Sequence, residues 1–99
     1  MRLTIIPSDS MVLVDGRGLE LDLTGYSQLD GLRAVQWDED RGHIEFDNHR
    51  ADPADFKHNE NITDIDAYQD IIAAWEEAAA AQDEILGLGS ASGDGNFRR

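Results

Sequence analysis

The chain contains no cysteine, and this absence excludes several ways of stabilising a small protein or giving it reactivity. A disulfide scaffold, a thiolate zinc site and a thiol nucleophile all require cysteine. Apolar runs are only a few residues long, far below the roughly 20 residues that span a bilayer. The first residues combine one positive charge with a short apolar stretch that ends at Pro7, which is unlike a secretory signal peptide. We therefore expect a soluble protein made in the cytoplasm.

Positive charge is also scarce. Eight Lys and Arg residues stand against 21 Asp and Glu residues, and the net charge is −13. Such a field repels nucleic-acid phosphates and acidic lipids and attracts basic protein surfaces. Direct binding to nucleic acid or membrane is therefore not expected. Three explanations of the acidity stay open: a solvated acidic face, a GC-rich genome or high-salt host, and an inhibitor whose carboxylates imitate nucleic-acid phosphates.

The chain has room for one hydrophobic core. Its 99 residues are the size of one small domain, and Leu, Ile, Val and Phe make up 23 of them. We predict a single domain over residues 1–86. Residues 87–99 are rich in Gly and Ser, which is typical of a flexible tail.

Short alternating or β-branched stretches predict four or five strands. Residues 7–10 form a turn cluster between the first two strands, and residues 38–42 suit a five-residue hairpin loop with Gly42 near its end. Residues 47–61 are polar and are expected to form a loop that Phe56 fixes to the core. The predicted strands cover residues 3–6, 11–14, 19–23, 33–37 and 43–46.

A long amphipathic helix is predicted after the strands. Thr63 suits the N-cap, and Gly87 suits the C-cap. Apolar side chains recur every three or four residues from Ile65 to Leu86, which marks one face of a helix about 33 Å long. The fold class is thus α+β: a small antiparallel β-meander packed against one long C-terminal helix. Trp37 on the sheet is expected to share the core with Trp75 on the helix.

The length of this helix leads to the site prediction. Four or five strands extend about 20 Å across, so a helix of about 33 Å should extend past the sheet. Its far end would then expose apolar side chains. Either a partner protein or a second copy covers them, or the helix ends sooner. Phe97, Arg98 and Arg99 close the predicted tail and add a small aromatic and basic motif. The predicted partner-binding residues are Ala78, Ile85, Leu86, Leu88, Phe97, Arg98 and Arg99.

Signs of catalysis or cofactor binding are weak. His43, His49 and His58 are not spaced like metal ligands on one element, and the sequence holds no nucleophile elbow or phosphate-binding loop. We therefore expect no enzymatic activity, no catalytic residues, no metal site and no cofactor.

Several short segments occur in an order that resembles a known family. They include residues 3–9, 14–16, 21–23, 34–37, 42–46 and 74–76, and the likeness covers residues 1–77. This set resembles the XkdW-like small proteins encoded in the tail gene clusters of tailed bacteriophages. The resemblance implies a non-enzymatic tail-associated accessory protein, either a structural component or a factor in tail or tail-fibre assembly. It would act through contacts with other tail proteins or by self-association through the helix, in the host cytoplasm during assembly or in the virion tail. The alternative is the acidic inhibitor, directed at a host nucleic-acid-binding enzyme.

Overall fold

The computed structural model describes residues 1–49 and 52–90, with side chains described up to Leu86. It confirms the α+β fold, with one antiparallel sheet and one long helix. The sheet has six strands rather than four or five. They are β1 (Arg2–Ile6), β2 (Met11–Val14), β3 (Arg17–Glu20), β4 (Leu32–Asp38), β5 (Arg41–Phe46) and β6 (Glu60–Ile62), and the helix is α1 (Gln69–Ser90).

The strand order in the sheet is β3-β2-β1-β4-β5-β6, so the sheet is not a simple meander. Two local three-stranded units meet where β1 pairs with β4. The connection between them, residues 21–31, leaves the β3 edge and returns to the middle of the sheet. It buries Leu23 and Leu29, because it crosses the same face of the sheet that α1 covers.

The β1–β2 hairpin matches its prediction, whereas the predicted third strand begins and ends earlier. The turn between β2 and β3 is formed by Asp15 and Gly16, which both have positive φ. This conformation suits a two-residue hairpin and places Arg17 directly opposite Val14. The strand therefore ends at Glu20, and the alternation that continues after it belongs to the crossing connection.

The β4–β5 hairpin has a tighter turn than predicted. Asp38 pairs with Arg41, so only two residues connect the strands, and Glu39 rather than Gly42 has positive φ. Gly42 instead lies opposite Trp37 inside β5. A Cβ atom there would collide with the backbone of β4 and would lie 2.9 Å from Cε3 of the Trp37 ring. The glycine thus makes room for the buried tryptophan.

The segment predicted as a loop over residues 47–61 contributes the sixth strand. β6 pairs with the outer edge of β5, with Asn61 opposite His43. The expectation that Phe56 fixes this segment to the core is wrong, because Phe56 is 54% exposed and contacts the ring of His58 instead. Backbone pairing through β6 holds the segment to the sheet.

Helix α1 begins later and ends later than predicted. Thr63 is not its N-cap. The Asp64 carboxylate accepts a hydrogen bond from the backbone N–H of Asp66, and a short 3-10 helix leads into Gln69. At the other end α1 continues through Gly87 to Ser90, so the helix includes the first residues of the segment predicted as a tail. At 1.5 Å per residue its 22 residues still extend about 33 Å.

The core lies between α1, the crossing connection and one face of the sheet. Directly opposite residues of the sheet share a face, so β1, β2 and β4 present their buried side chains together. Trp37 is buried in this core and the partly buried Trp75 packs against it, which agrees with the prediction. Its fully buried side chains are Leu3, Ile5, Val12, Val35 and Ile71. In the part of the chain described, no helix is both long and apolar enough to cross a membrane.

The stability of this core depends on pH because of Tyr68. Burial raises the pKa of its phenol, and the nearby carboxylate of Glu60 raises it further. The folded state therefore holds the phenolic proton more tightly than the unfolded state, in which tyrosine titrates near about pH 10. The resulting stability is fully present below that pH and is lost as pH rises above it.

We expect the melting temperature to fall between about pH 9 and 11, and to fall less steeply in Tyr68→Phe. Tyr26→Phe is the matched control, since it removes the other phenol of the chain.

Candidate protein-interaction surface

Helix α1 crosses the edge of the sheet at Arg17, the first residue of the edge strand β3. The indole Nε1 of Trp75 donates a hydrogen bond to the Arg17 carbonyl oxygen at 3.2 Å, and the guanidinium group lies 5.9 Å from the Trp75 ring centre. The same guanidinium donates to Gln82 Oε1 and to Asp83 Oδ1, both at 2.9 Å. Arg17 therefore fixes the helix at the point where the sheet ends.

Residues 80–86 of α1, here called the exposed helix end, contact Arg17 through Gln82 and Asp83 and continue past the edge of the sheet. Among the helix residues up to Leu86, Ala79 is the last buried one, with 6% of its surface exposed. Leu86 follows it after seven residues, nearly two full turns, and therefore lies on the same side of the helix. Leu86 is nevertheless 63% exposed and its neighbour Ile85 is 69% exposed. The apolar face that packs on the sheet thus continues into solvent.

The structure brings together only some of the predicted partner-binding residues. Ile85 and Leu86 are adjacent and exposed, and Ala78 is half-buried two residues before the exposed helix end. Leu88 belongs to α1, but its side chain is outside the described set. The predicted motif of Phe97, Arg98 and Arg99 lies outside the described residues. The role of all seven residues in binding stays a prediction.

The charge around the exposed helix end is negative. The sequence of α1 contains five acidic residues and no Lys or Arg. Asp83, which lies three residues before Leu86 on the same side of the helix, is paired with Arg17, and Glu84 directly precedes Ile85. Glu76 and Glu77 extend the acidic surface towards the sheet. A protein that covers this end therefore meets apolar side chains with carboxylates beside them.

Arg17 is a residue of this surface that sequence reasoning does not single out. Its role depends on a contact between β3 and the last third of the chain. Arg17 binds Asp83, which is 66 residues further along the sequence. The Asp15-Gly16 pair is the one sequence signal that bears on it, because a two-residue turn would start a strand at Arg17. Nothing in the local pattern indicates that its side chain would reach a helix.

A second surface feature is an open depression of about 730 Å³ between β5 and residues 52–59. Arg33, His49, Lys57 and His58 contribute to its lining. The acidic groups there are already paired. Glu45 contacts both Arg33 and His43, and the Asp47 carboxylate is hydrogen-bonded to His49, which lowers the pKa of Asp47.

The histidines do not assemble into a metal site. Within residues 1–49 and 52–90, no three His, Cys, Asp or Glu side chains come together as a possible ligand set. His43, His49 and His58 are each half-buried or exposed, and the first two bind carboxylates of their own strand or the turn after it. The depression is therefore described best as a network of surface ion pairs.

Comparisons with protein-family models, curated proteins and solved structures gave no significant match to this chain.

Proposed function

We propose that this chain is a non-enzymatic interaction protein that docks on another protein through the exposed helix end. The observation that carries the proposal is the exposure of Ile85 and Leu86, on a helix whose preceding turns pack the same stripe into the core. Because carboxylates lie beside these side chains, the partner surface is an apolar site bordered by Lys or Arg. A phage tail or tail-fibre protein is the partner that we propose.

The phage context rests on the sequence resemblance over residues 1–77. In that context the chain acts as a tail accessory protein, either during assembly in the host cytoplasm or in the virion tail. A small acidic domain with one projecting helix suits such a role, because the sheet would serve as a scaffold and the helix as the contact. The proposed activity needs no cofactor.

Self-association is less favourable than binding to a different protein. A second copy that packed on the exposed helix end would bring another acidic helix beside Glu84. Like charges brought together at an interface oppose association, by up to several kcal/mol where water is excluded. A partner with basic residues at the same places would instead be attracted by the carboxylates of α1, which favours association. The charge of α1 therefore favours a heteromeric contact.

The apolar area is sufficient for a binding hot spot. Full burial of a Leu or Ile side chain contributes about 1.5–3 kcal/mol. Since roughly two thirds of each side chain is exposed, docking would bury enough of Ile85 and Leu86 to contribute about 2–4 kcal/mol in total. Contributions of this size are typical of the few residues that dominate an interface.

Mimicry of nucleic acid is the second candidate, and the geometry of α1 makes it the weaker one. Its five acidic residues lie between Asp70 and Glu84, which is about one charge per 4.5 Å of helix. Duplex DNA carries one charge per roughly 1.7 Å. Dependence of binding on salt distinguishes the two: mimicry should weaken by orders of magnitude between about 0.05 and 0.5 M salt, and apolar docking with a few charge pairs by much less.

The test uses Leu86→Asp and a control that adds the same charge on a different side of the helix. Ala80→Asp is that control, since Ala80 is exposed and lies about 120° around the helix from Leu86. The tagged chain is co-expressed in turn with the products of the genes that flank its own, and binding is measured by calorimetry. Leu86→Asp should weaken binding by about 30-fold or more, and Ala80→Asp by less than about 3-fold.

Three results would contradict the proposal. Equal losses for the two variants would mean that charge, not the apolar side chains, governs binding. A pure protein that forms a stable dimer in light scattering, and a monomer in Leu86→Asp, would mean that the surface serves self-association. Steep loss of binding with salt would favour the inhibitor. Circular dichroism should show both variants folded, because neither side chain is buried.

A further inference from the structure

The edge of β3 has backbone groups that point away from the sheet. In its pairing with β2, Arg17 lies opposite Val14 next to a two-residue turn, and the Leu21 N–H donates to the Ser10 carbonyl at 2.8 Å. Hydrogen-bonded pairs alternate in an antiparallel ladder, so the odd-numbered residues of β3 bond towards β2. The N–H and C=O groups of the two even-numbered residues therefore point outward.

Those two residues, Gly18 and Glu20, are both exposed. Sheet edges are commonly protected by lysine, proline, a β-bulge or a covering segment. β3 contains neither lysine nor proline, and its register with β2 is regular along its four residues. Gly18 has no side chain that would keep another backbone at a distance. The edge is short, and among residues 1–49 and 52–90 no strand pairs with it, so one more strand can be added there.

A strand added to β3 would need side chains to pack on at the inner face of the sheet, and the exposed helix end lies there. Arg17, on the edge strand, contacts Asp83, and α1 continues beyond it. Leu86 is three residues further, about 4.5 Å along the helix, which is close to the spacing of about 4.8 Å between neighbouring strands. A strand added to β3 would thus place its inward side chains near Ile85 and Leu86.

We propose that the β3 edge and the exposed helix end together receive an extended strand of another protein, in which apolar residues alternate with Lys or Arg. The inference rests on the proposed function and specifies the form of the partner. Inward residues of the strand would be apolar because they meet the exposed helix end. Outward residues would be basic because Glu20 occupies the outer face of the edge strand.

A second copy of this chain fits the edge poorly. Arg17 and Glu20 lie on opposite faces of the sheet, since the faces alternate along a strand. In an antiparallel pairing of two β3 strands that keeps the faces aligned, Glu20 therefore never lies opposite Arg17. Pairing of the two β3 strands would also bring the acidic α1 helices of both copies close together. These two effects favour a basic strand from a different protein.

The experiment uses the full chain, labelled with ¹⁵N, and a capped peptide of sequence Lys-Val-Lys-Val-Lys-Val-Lys as the probe. Saturation with the peptide should shift the amide resonances of Gly18 and Glu20 and slow their hydrogen exchange by about tenfold or more. The decisive variant is Glu20→Pro, which removes an outward N–H but no bond to β2. Its matched control is Glu20→Thr, which removes the same charge and keeps the N–H.

Glu20→Pro should weaken peptide binding at least about tenfold relative to Glu20→Thr. Equal affinities for these variants, or a failure of the peptide to bind, would overturn the added strand. The proposed function would survive that result if Leu86→Asp still abolished binding of the protein partner. It would fail separately if Leu86→Asp had no effect while the Glu20 amide remained protected.

Discussion

Replacing Gly42 with alanine is expected to destabilise the protein by at least about 3 kcal/mol, because the new methyl group has no space. A Cβ atom at Gly42 would overlap the carbonyl oxygen of Gln36 and would lie 2.9 Å from the Trp37 Cα atom. These are backbone atoms of β4, and they can yield only if β4 and β5 separate. A chain of this size has about 5–15 kcal/mol of stability in total, so the loss would be large.

The matched control for this prediction is Gly18→Ala, in the edge strand. A Cβ atom there would lie 3.2 Å from Met11 Sδ and 3.3 Å from Leu13 Cγ, and both are side-chain atoms that can move. Alanine also costs less backbone entropy than glycine in a strand. Urea titration should therefore give Gly18→Ala a free energy of unfolding within about 1 kcal/mol of the wild type. Similar stability of the two variants would contradict the close packing of β5 on β4.

The second large effect is expected from shortening Ile71, which is completely buried where α1 meets the sheet. Ile71→Ala removes buried methyl groups and leaves a cavity, which typically costs about 2–5 kcal/mol. Ile85→Ala is its matched control on the same helix, since Ile85 is 69% exposed. Chemical denaturation should show a change below about 0.5 kcal/mol for Ile85→Ala. A comparable loss in both variants would mean that the exposed helix end packs on this chain in solution.

Local sequence patterns were sufficient to predict the fold class and the exposure of the helix end. The turn cluster over residues 7–10 and the three-to-four-residue spacing of the helix are local signals, and both correspond to observed elements. The extension of the helix past the sheet was predicted by comparing the length of the helix with the width of the sheet. Ile85 and Leu86 were thus placed in solvent by length alone, although no local feature separates them from the buried residues of the stripe.

The features that sequence reasoning did not find depend on contacts between distant segments. β6 is only three residues long, and it is a strand because β5 offers an edge to pair with. Arg17 reaches the helix because the strand order places β3 at the edge that α1 crosses. The start of α1 was misplaced for a related reason: the Gln28 side chain binds the Ala67 carbonyl and the Asp70 carboxylate, which holds the first turn against the crossing connection.

The order of elements along the chain has a consequence for synthesis on the ribosome. All six strands precede α1, so the nascent sheet emerges before the helix that covers its inner face. Until residues 69–90 leave the exit tunnel, side chains such as Leu3 and Val12 have no helix to pack on. An uncovered apolar sheet favours aggregation during translation. The excess of carboxylates would then protect the nascent polypeptide, because mutual repulsion keeps neighbouring chains on a polysome apart.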